Sequence, residues 1–132
     1  MFDKRKLYVY NVIEGNEKMN NKKNMYYRGY VELLVLFLLQ EEDSYGLELV
    51  KKIKQLSNDV ISLSVGSLYP TLYRLIDKNL ISDYKVNISE RMVRVYYHIE
   101  QAGIERLKQL KNDFYEITNT IVKIIDDDTE RR

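Results

Sequence analysis

Apolar residues recur at helical spacing through 27–40, with Val31, Leu34, Val35, Leu38 and Leu39 on one side and Leu33, Leu36 and Phe37 filling much of the other. A helix apolar nearly all round is buried on more than one side. The first helix is therefore expected to pack on its own domain core with one face and on a partner chain with another. Glu41, Glu42 and Asp43 follow as an acidic turn, and Ser44 is placed to cap a second helix. That helix carries Leu47, Leu49, Val50, Ile53 and Leu56 inward and Lys51, Lys52 and Lys54 outward, and it ends at the turn cluster Ser57-Asn58-Asp59. Residues 60–63 read as a short strand.

The stretch LSVGSLYPTLYRLIDKNLI (63–81) has one apolar and one hydroxyl-rich, basic face. Proline deep inside a helix loses a hydrogen bond and clashes with the preceding turn. With Ser67 as the cap, Pro70 falls at the third helical position, where its missing N–H has no helical partner. The helix is then expected over 68–79, with Leu68, Leu72, Leu75 and Ile76 inward and Ser67, Tyr69, Thr71, Arg74 and Lys78 outside or at the edge. Segments 81–87 and 93–99 are β-branched and aromatic-rich, the pattern of two strands, and the tip at 87–92 is polar.

From 100 to about 127 one long helical stripe runs through Ile104, Leu107, Leu110, Phe114, Ile117, Ile121 and Ile124. At ~1.5 Å per residue this helix reaches roughly 40 Å, more than a small domain needs, and its far half exposes an apolar stripe unless another chain covers it. We read it as a dimerisation helix; a helix folded back over its own domain is the alternative. Helix followed by hairpin is the winged helix-turn-helix arrangement. The fold class expected is mainly α, an α+β winged helix-turn-helix with a long C-terminal dimerisation helix. Residues 1–24, rich in Asn and Lys and without a sustained period, form a flexible arm or reflect a misassigned start; 25–99 form the winged domain, 100–128 the dimerisation helix and 129–132 a tail.

Composition narrows the function. Of 132 residues, 45% are hydrophobic and 31% charged, enough to bury a core. The absence of cysteine excludes disulfides and cysteine-based zinc sites and fits a reducing cytoplasm. No apolar run approaches the ~18 residues of a membrane span, and the N-terminus lacks a signal peptide's apolar segment; a cytoplasmic protein without a membrane partner is expected. Net charge is only +1, but residues 50–98 hold eight Lys and Arg against four acids while 110–132 hold four against six. A basic middle and an acidic tail suit a protein whose middle meets phosphate, although chance clustering gives the same count.

Readout in the major groove needs three or four polar side chains at base edges, and Ser67, Tyr69 and Thr71 fit that need. Arg74 and Lys78, farther along, suit phosphates. Lys85, Arg91 and Arg94 surround the hairpin tip, where a wing meets backbone phosphates or the minor groove. A solvated helix face and an Arg91–Glu90 pair are the plain alternatives. Of Tyr96 and Tyr97, adjacent on a strand, one is expected inward and the other outward. His98, the only histidine, is expected to be structural, and Asp126-Asp127-Asp128 lacks the spacing and glycine of a calcium loop. No nucleophile–base pair, phosphate loop, metal or cofactor site can be assembled, so an enzyme is not expected.

The blocks RGYVELLVLFLL (28–39), SYGLELVKKI (44–53), LSVGSLYPTLYRLIDKNLI (63–81) and RVYYHIEQAG (94–103), with the long terminal helix, resemble the PadR family of transcriptional regulators over about 27–125. The resemblance implies a homodimeric bacterial repressor on an inverted-repeat operator in double-stranded DNA. Its recognition positions fall on Ser67, Tyr69, Thr71 and Arg74, and its basic wing on Arg91 and Arg94. The terminal helix would pack on the partner's first and terminal helices, through Leu34, Leu38, Leu107, Leu110, Phe114, Ile117, Ile121 and Ile124. The chain departs from the family in three places. Val95 replaces the lysine of Arg-Lys-Tyr-Tyr, Glu100 replaces a capping threonine, and Phe114 replaces a tryptophan that in some members lines a pocket for a small aromatic effector. Phe114 keeps a stacking face without the indole donor and is the one candidate ligand-binding residue. A dimeric repressor released by a small ligand is the leading reading; a winged-helix protein–protein adaptor without specific DNA binding is the alternative.

Overall fold

The structure, a computed structural model, describes residues 28–131; the expectations for residues 1–24 and for the end of the tail lie outside them. A 3-10 turn, Arg28–Tyr30, leads into α1 (Val31–Glu41). Then follow β1 (Ser44–Tyr45), α2 (Gly46–Leu56), α3 (Val65–Asp77), β2 (Ile81–Ser89), β3 (Met92–Ile99) and α4 (Gln101–Arg131). The strands form one antiparallel sheet in the order β1-β3-β2. This is the expected winged helix-turn-helix with a long terminal helix.

The core lies where α1, α2, α3, the sheet and the start of α4 meet. Leu36, Leu39, Leu49, Leu68, Leu72, Leu75, Ile81 and Leu107 are its largest fully buried side chains. As its all-round apolar pattern requires, α1 is buried on two sides, packing on α4, β3 and α3. In α2 the inward positions are Leu49 and Ile53; Leu47 and Leu56, expected inward, are exposed.

Local hydrogen bonding overturns three expectations. Ser44 does not cap α2. It lies buried in β1 opposite Tyr97, its hydroxyl accepting from Lys52 Nζ at 3.1 Å, and the helix begins after Tyr45 with no side-chain cap. Residues 60–63 are not a strand. Asn58 and Asp59 take left-handed φ of 51° and 66° to close α2, the geometry of a Schellman turn. Val60 N–H then donates to the Ser57 carbonyl and Ile61 N–H to Ser57 Oγ, so these donors are used locally rather than across a ladder. The cap of α3 is Ser64, not Ser67: Ser64 Oγ accepts from Ser67 N–H at 3.1 Å. Pro70 therefore stands a full turn deeper than expected and removes one helical bond, to the Gly66 carbonyl. Gly66 is exposed, which leaves that carbonyl to water.

Asn79, at φ 59°, turns the chain out of α3. Its N–H and that of Leu80 return to the Ile76 and Leu75 carbonyls, each at 2.9 Å, and β2 starts at once. Glu100 stands ahead of α4 but turns its carboxylate to the sheet, where Ser82 Oγ donates to Oε1 at 2.6 Å. At 31 residues α4 is longer than expected, about 46 Å.

Candidate nucleic-acid interface

Burial of Leu68, Leu72 and Leu75 fixes which way α3 faces. Ser67, Tyr69, Tyr73, Arg74 and Lys78 are left exposed on its outer side. Thr71, expected among them, is only 6% exposed, and its hydroxyl accepts from Arg74 Nη2 at 3.3 Å. It therefore sits under the face, where it can orient Arg74. Tyr73, missed from the sequence, stacks on Tyr69 with centroids 5.8 Å apart and planes 13° from parallel; the (i, i+4) spacing of the two tyrosines was the available signal. The N–H of Ser67 is already held by Ser64, so it is not offered to a phosphate.

The hairpin carries Lys85, Arg91 and Arg94, with Lys85 and Arg91 exposed. Arg94 is partly covered because its guanidinium lies 4.4 Å over the Tyr45 ring, a cation–π contact that holds it close to the sheet. The tip is less polar than expected. A register shift between Asn87 and Ser89 interrupts the ladder, and Ile88, Met92 and Val93 are exposed around it. A cleft of about 420 Å³ lies where α3 meets the hairpin, lined by Tyr69 and Tyr73 on one side and Val93 and Arg94 on the other.

A sequence model of the PadR-like family of transcriptional regulators matches residues 35–109. The chain belongs to this family. A transcriptional regulator from Clostridium thermocellum is 34% identical, with a TM-score of 0.64 over 73% of this chain and 89% of its own. The transcriptional regulator YqjI of Escherichia coli is 34% identical over 61 residues, 46% of this chain and 30% of its own length. The structure of Bacillus subtilis PadR in complex with operator DNA is 19% identical, with a TM-score of 0.56 over 60% of this chain and 45% of that one, a likeness of fold. This PadR-like protein is thus a transcriptional regulator, and the family is not one of enzymes.

Of the eight residues expected at a dimer interface, this PadR-like chain covers two by itself. Leu38 and Leu107 are buried in its own core, so they present no surface to a partner. Leu34 and Leu110 pack partly against that core. Phe114 is half-buried, edge-on to Tyr30 with centroids 5.3 Å apart, and Ile117, Ile121 and Ile124 are exposed. Among the described residues no helix is long and apolar enough to cross a membrane.

The outer face of the PadR-like sheet carries one connected set of side chains. Tyr45 meets Tyr96 edge-on at 5.4 Å, and Tyr96 stacks on Tyr84 at 5.8 Å. Tyr84 Oη donates to Asp43 Oδ2 at 2.7 Å, and His98 Nδ1 donates to Asp43 Oδ1 at 2.8 Å. The Asp43 hydrogen bond, aided by the charges of Asp43 and Glu100, raises the His98 pKa against a smaller effect of burial. Burial acts to raise Asp43, but the bonds from Tyr84 and His98 and the histidine charge together hold it below its usual value. As expected, the two adjacent tyrosines face opposite ways: Tyr97 points inward and Tyr96 lies on the other face. His98 is structural in the sense that it ties the sheet to the α1–β1 connection.

Proposed function

We propose that this PadR-like regulator binds an inverted-repeat operator as a homodimer and represses transcription, with α3 in the major groove and the β2–β3 hairpin against the flanking backbone. The observation that carries this reading is that Ser67, Tyr69 and Arg74 stand exposed on α3 outside the core, with Tyr69 meeting Arg94 of the hairpin across one cleft. Ser67 and Tyr69 are the base-reading candidates. Arg74, Lys78, Lys85, Arg91 and Arg94 are the phosphate contacts. The operator complex of the Bacillus subtilis protein supports the same use of the fold. The exposed isoleucines of α4 supply the second-copy surface. Release by a small ligand requires that it bind the non-operator conformation more tightly than the operator-bound one.

The test is fluorescence anisotropy on DNA from upstream of the encoding gene, with a scrambled duplex as control, at several salt concentrations. Saturable binding at two subunits per duplex, well above the scramble, is expected. Equal, weak binding to both duplexes that vanishes at moderate salt would favour a protein–protein adaptor instead.

A further inference from the structure

We infer that the cleft between α3 and the hairpin is a binding site for a neutral, planar aromatic amide, distinct from any pocket at Phe114. Its volume of about 420 Å³ falls within the range of small-molecule sites, about 300–1,000 Å³. The parallel pair Tyr69 and Tyr73 lines it, a surface suited to a flat ring.

The polar groups choose the chemistry. Tyr97, 4% exposed over the whole residue, lines the cleft from the sheet, and its hydroxyl is not among the sealed, unsatisfied polar atoms of the described residues. Burial, with the nearby Tyr69, Tyr73 and Asp83, pushes the Tyr97 pKa up to about 12, so the group stays a hydroxyl and can donate. Asp83 is the residue opposite Tyr97 across β2 and β3, and it too lines the cleft. Its carboxylate accepts. A donor and an acceptor side by side match the carbonyl and N–H of an amide. Asp83 repels anions, so an aromatic acid is the poorer occupant. Tyr69 and Arg94 also belong to the proposed DNA face. A filled cleft therefore competes with DNA, a consequence that rests on the DNA-binding reading, whereas the site itself does not.

The test is a 1H–15N NMR titration of the full chain with benzamide, with benzoate and benzylammonium as charge controls. Saturable shifts at Gly46, Tyr69 and Tyr97 are expected, with benzoate weaker. Tyr97→Phe should weaken benzamide about threefold to tenfold. Asp83→Asn, at an exposed position that does not threaten the fold, should narrow the gap between benzamide and benzoate. No saturable shift, shifts centred on Phe114, or undiminished binding in both variants overturns the site. Anisotropy with labelled operator DNA separates the two readings. Benzamide that saturates the cleft without displacing bound DNA removes the competition. A chain that binds benzamide but no DNA keeps the site and removes the DNA reading.

Discussion

Gly103 lies directly beneath the main-chain carbonyl of Leu80: a Cβ built on Gly103 would sit 2.2 Å from that oxygen and 2.7 Å from Ile99 Cγ1. The same oxygen accepts Glu100 N–H at 2.9 Å, so α4 is fastened to the end of α3 at this point. Backbone cannot give way as a flexible side chain can. Alanine at a helical glycine ordinarily gains about 1 kcal/mol, but here overpacking reverses the sign. Gly103→Ala should lower stability by about 2 kcal/mol, read as a lower urea midpoint at unchanged slope and fixed protein concentration. A stabilised variant would mean that α4 can lift off the α3–β2 corner without loss.

The Asp43–His98 contact carries a pH dependence. The folded pKa of His98 is raised, so its contribution is complete below the unfolded value and is lost as pH rises through the folded one. That of Asp43 is lowered, so its contribution is present above the unfolded carboxylate value and lost as pH falls through the folded one. The contact is strongest between the carboxylate and imidazole ranges, in mild acid. The side chains are 50% and 34% exposed, and solvent screening keeps the effect below about 1 kcal/mol. The melting temperature of the native chain should fall slightly more than that of His98→Gln between about pH 6 and pH 8. Parallel profiles would assign the shift elsewhere.

Much of this was legible in the chain because periodicity encodes burial. The stripe Leu68-Leu72-Leu75 oriented α3, and alternation put Tyr96 and Tyr97 on opposite faces, although only the structure shows that Tyr97 is the inward one. What was illegible turned on single hydrogen bonds. Ser64 and Ser67 are equally good caps by type, and only the bond from Ser67 N–H to Ser64 Oγ decides between them. Ser44 looked like a cap because nothing in the sequence announces a two-residue strand, whose pairing with Tyr96 and Tyr97 is purely tertiary. The cleft was illegible for the same reason, since Tyr45, Tyr69, Asp83 and Tyr97 come from four separate elements.

The burial of Thr71 divides the effects of mutation on α3. If Arg74 and Arg94 each neutralise a phosphate, replacing either with Ala should weaken binding to every duplex and reduce the salt slope by about 1. Thr71→Val removes the hydroxyl that Arg74 Nη2 meets at 3.3 Å. It should therefore resemble a mild Arg74→Ala, equal on operator and scramble. Ser67→Ala should cost operator binding more than scramble binding. A Thr71→Val defect confined to the operator would instead give Thr71 a direct role at a base edge.

The last relationship concerns the two halves of α4. Leu107, Leu110, Phe114, Ile117, Ile121 and Ile124 are spaced alternately three and four apart, the seam of a coiled coil. The first half of that seam is spent on the chain's own core, with Leu107 at 1% exposure, while Ile117, Ile121 and Ile124 stand 59%, 51% and 58% exposed. Covering an isoleucine stabilises by about 1.5–3 kcal/mol, and in a two-fold dimer each residue counts twice. Ile121→Asp places a charge in that seam without touching the winged core. Sedimentation velocity should show a dimer for the native chain and a monomer for the variant, with the far-UV spectrum of a folded winged domain kept in both. A monomer cannot hold two recognition helices about 34 Å apart on one face of a duplex. Operator affinity should therefore fall toward the scramble value while the scramble value itself stays. A variant that remains dimeric would move the interface off this stripe and onto α1.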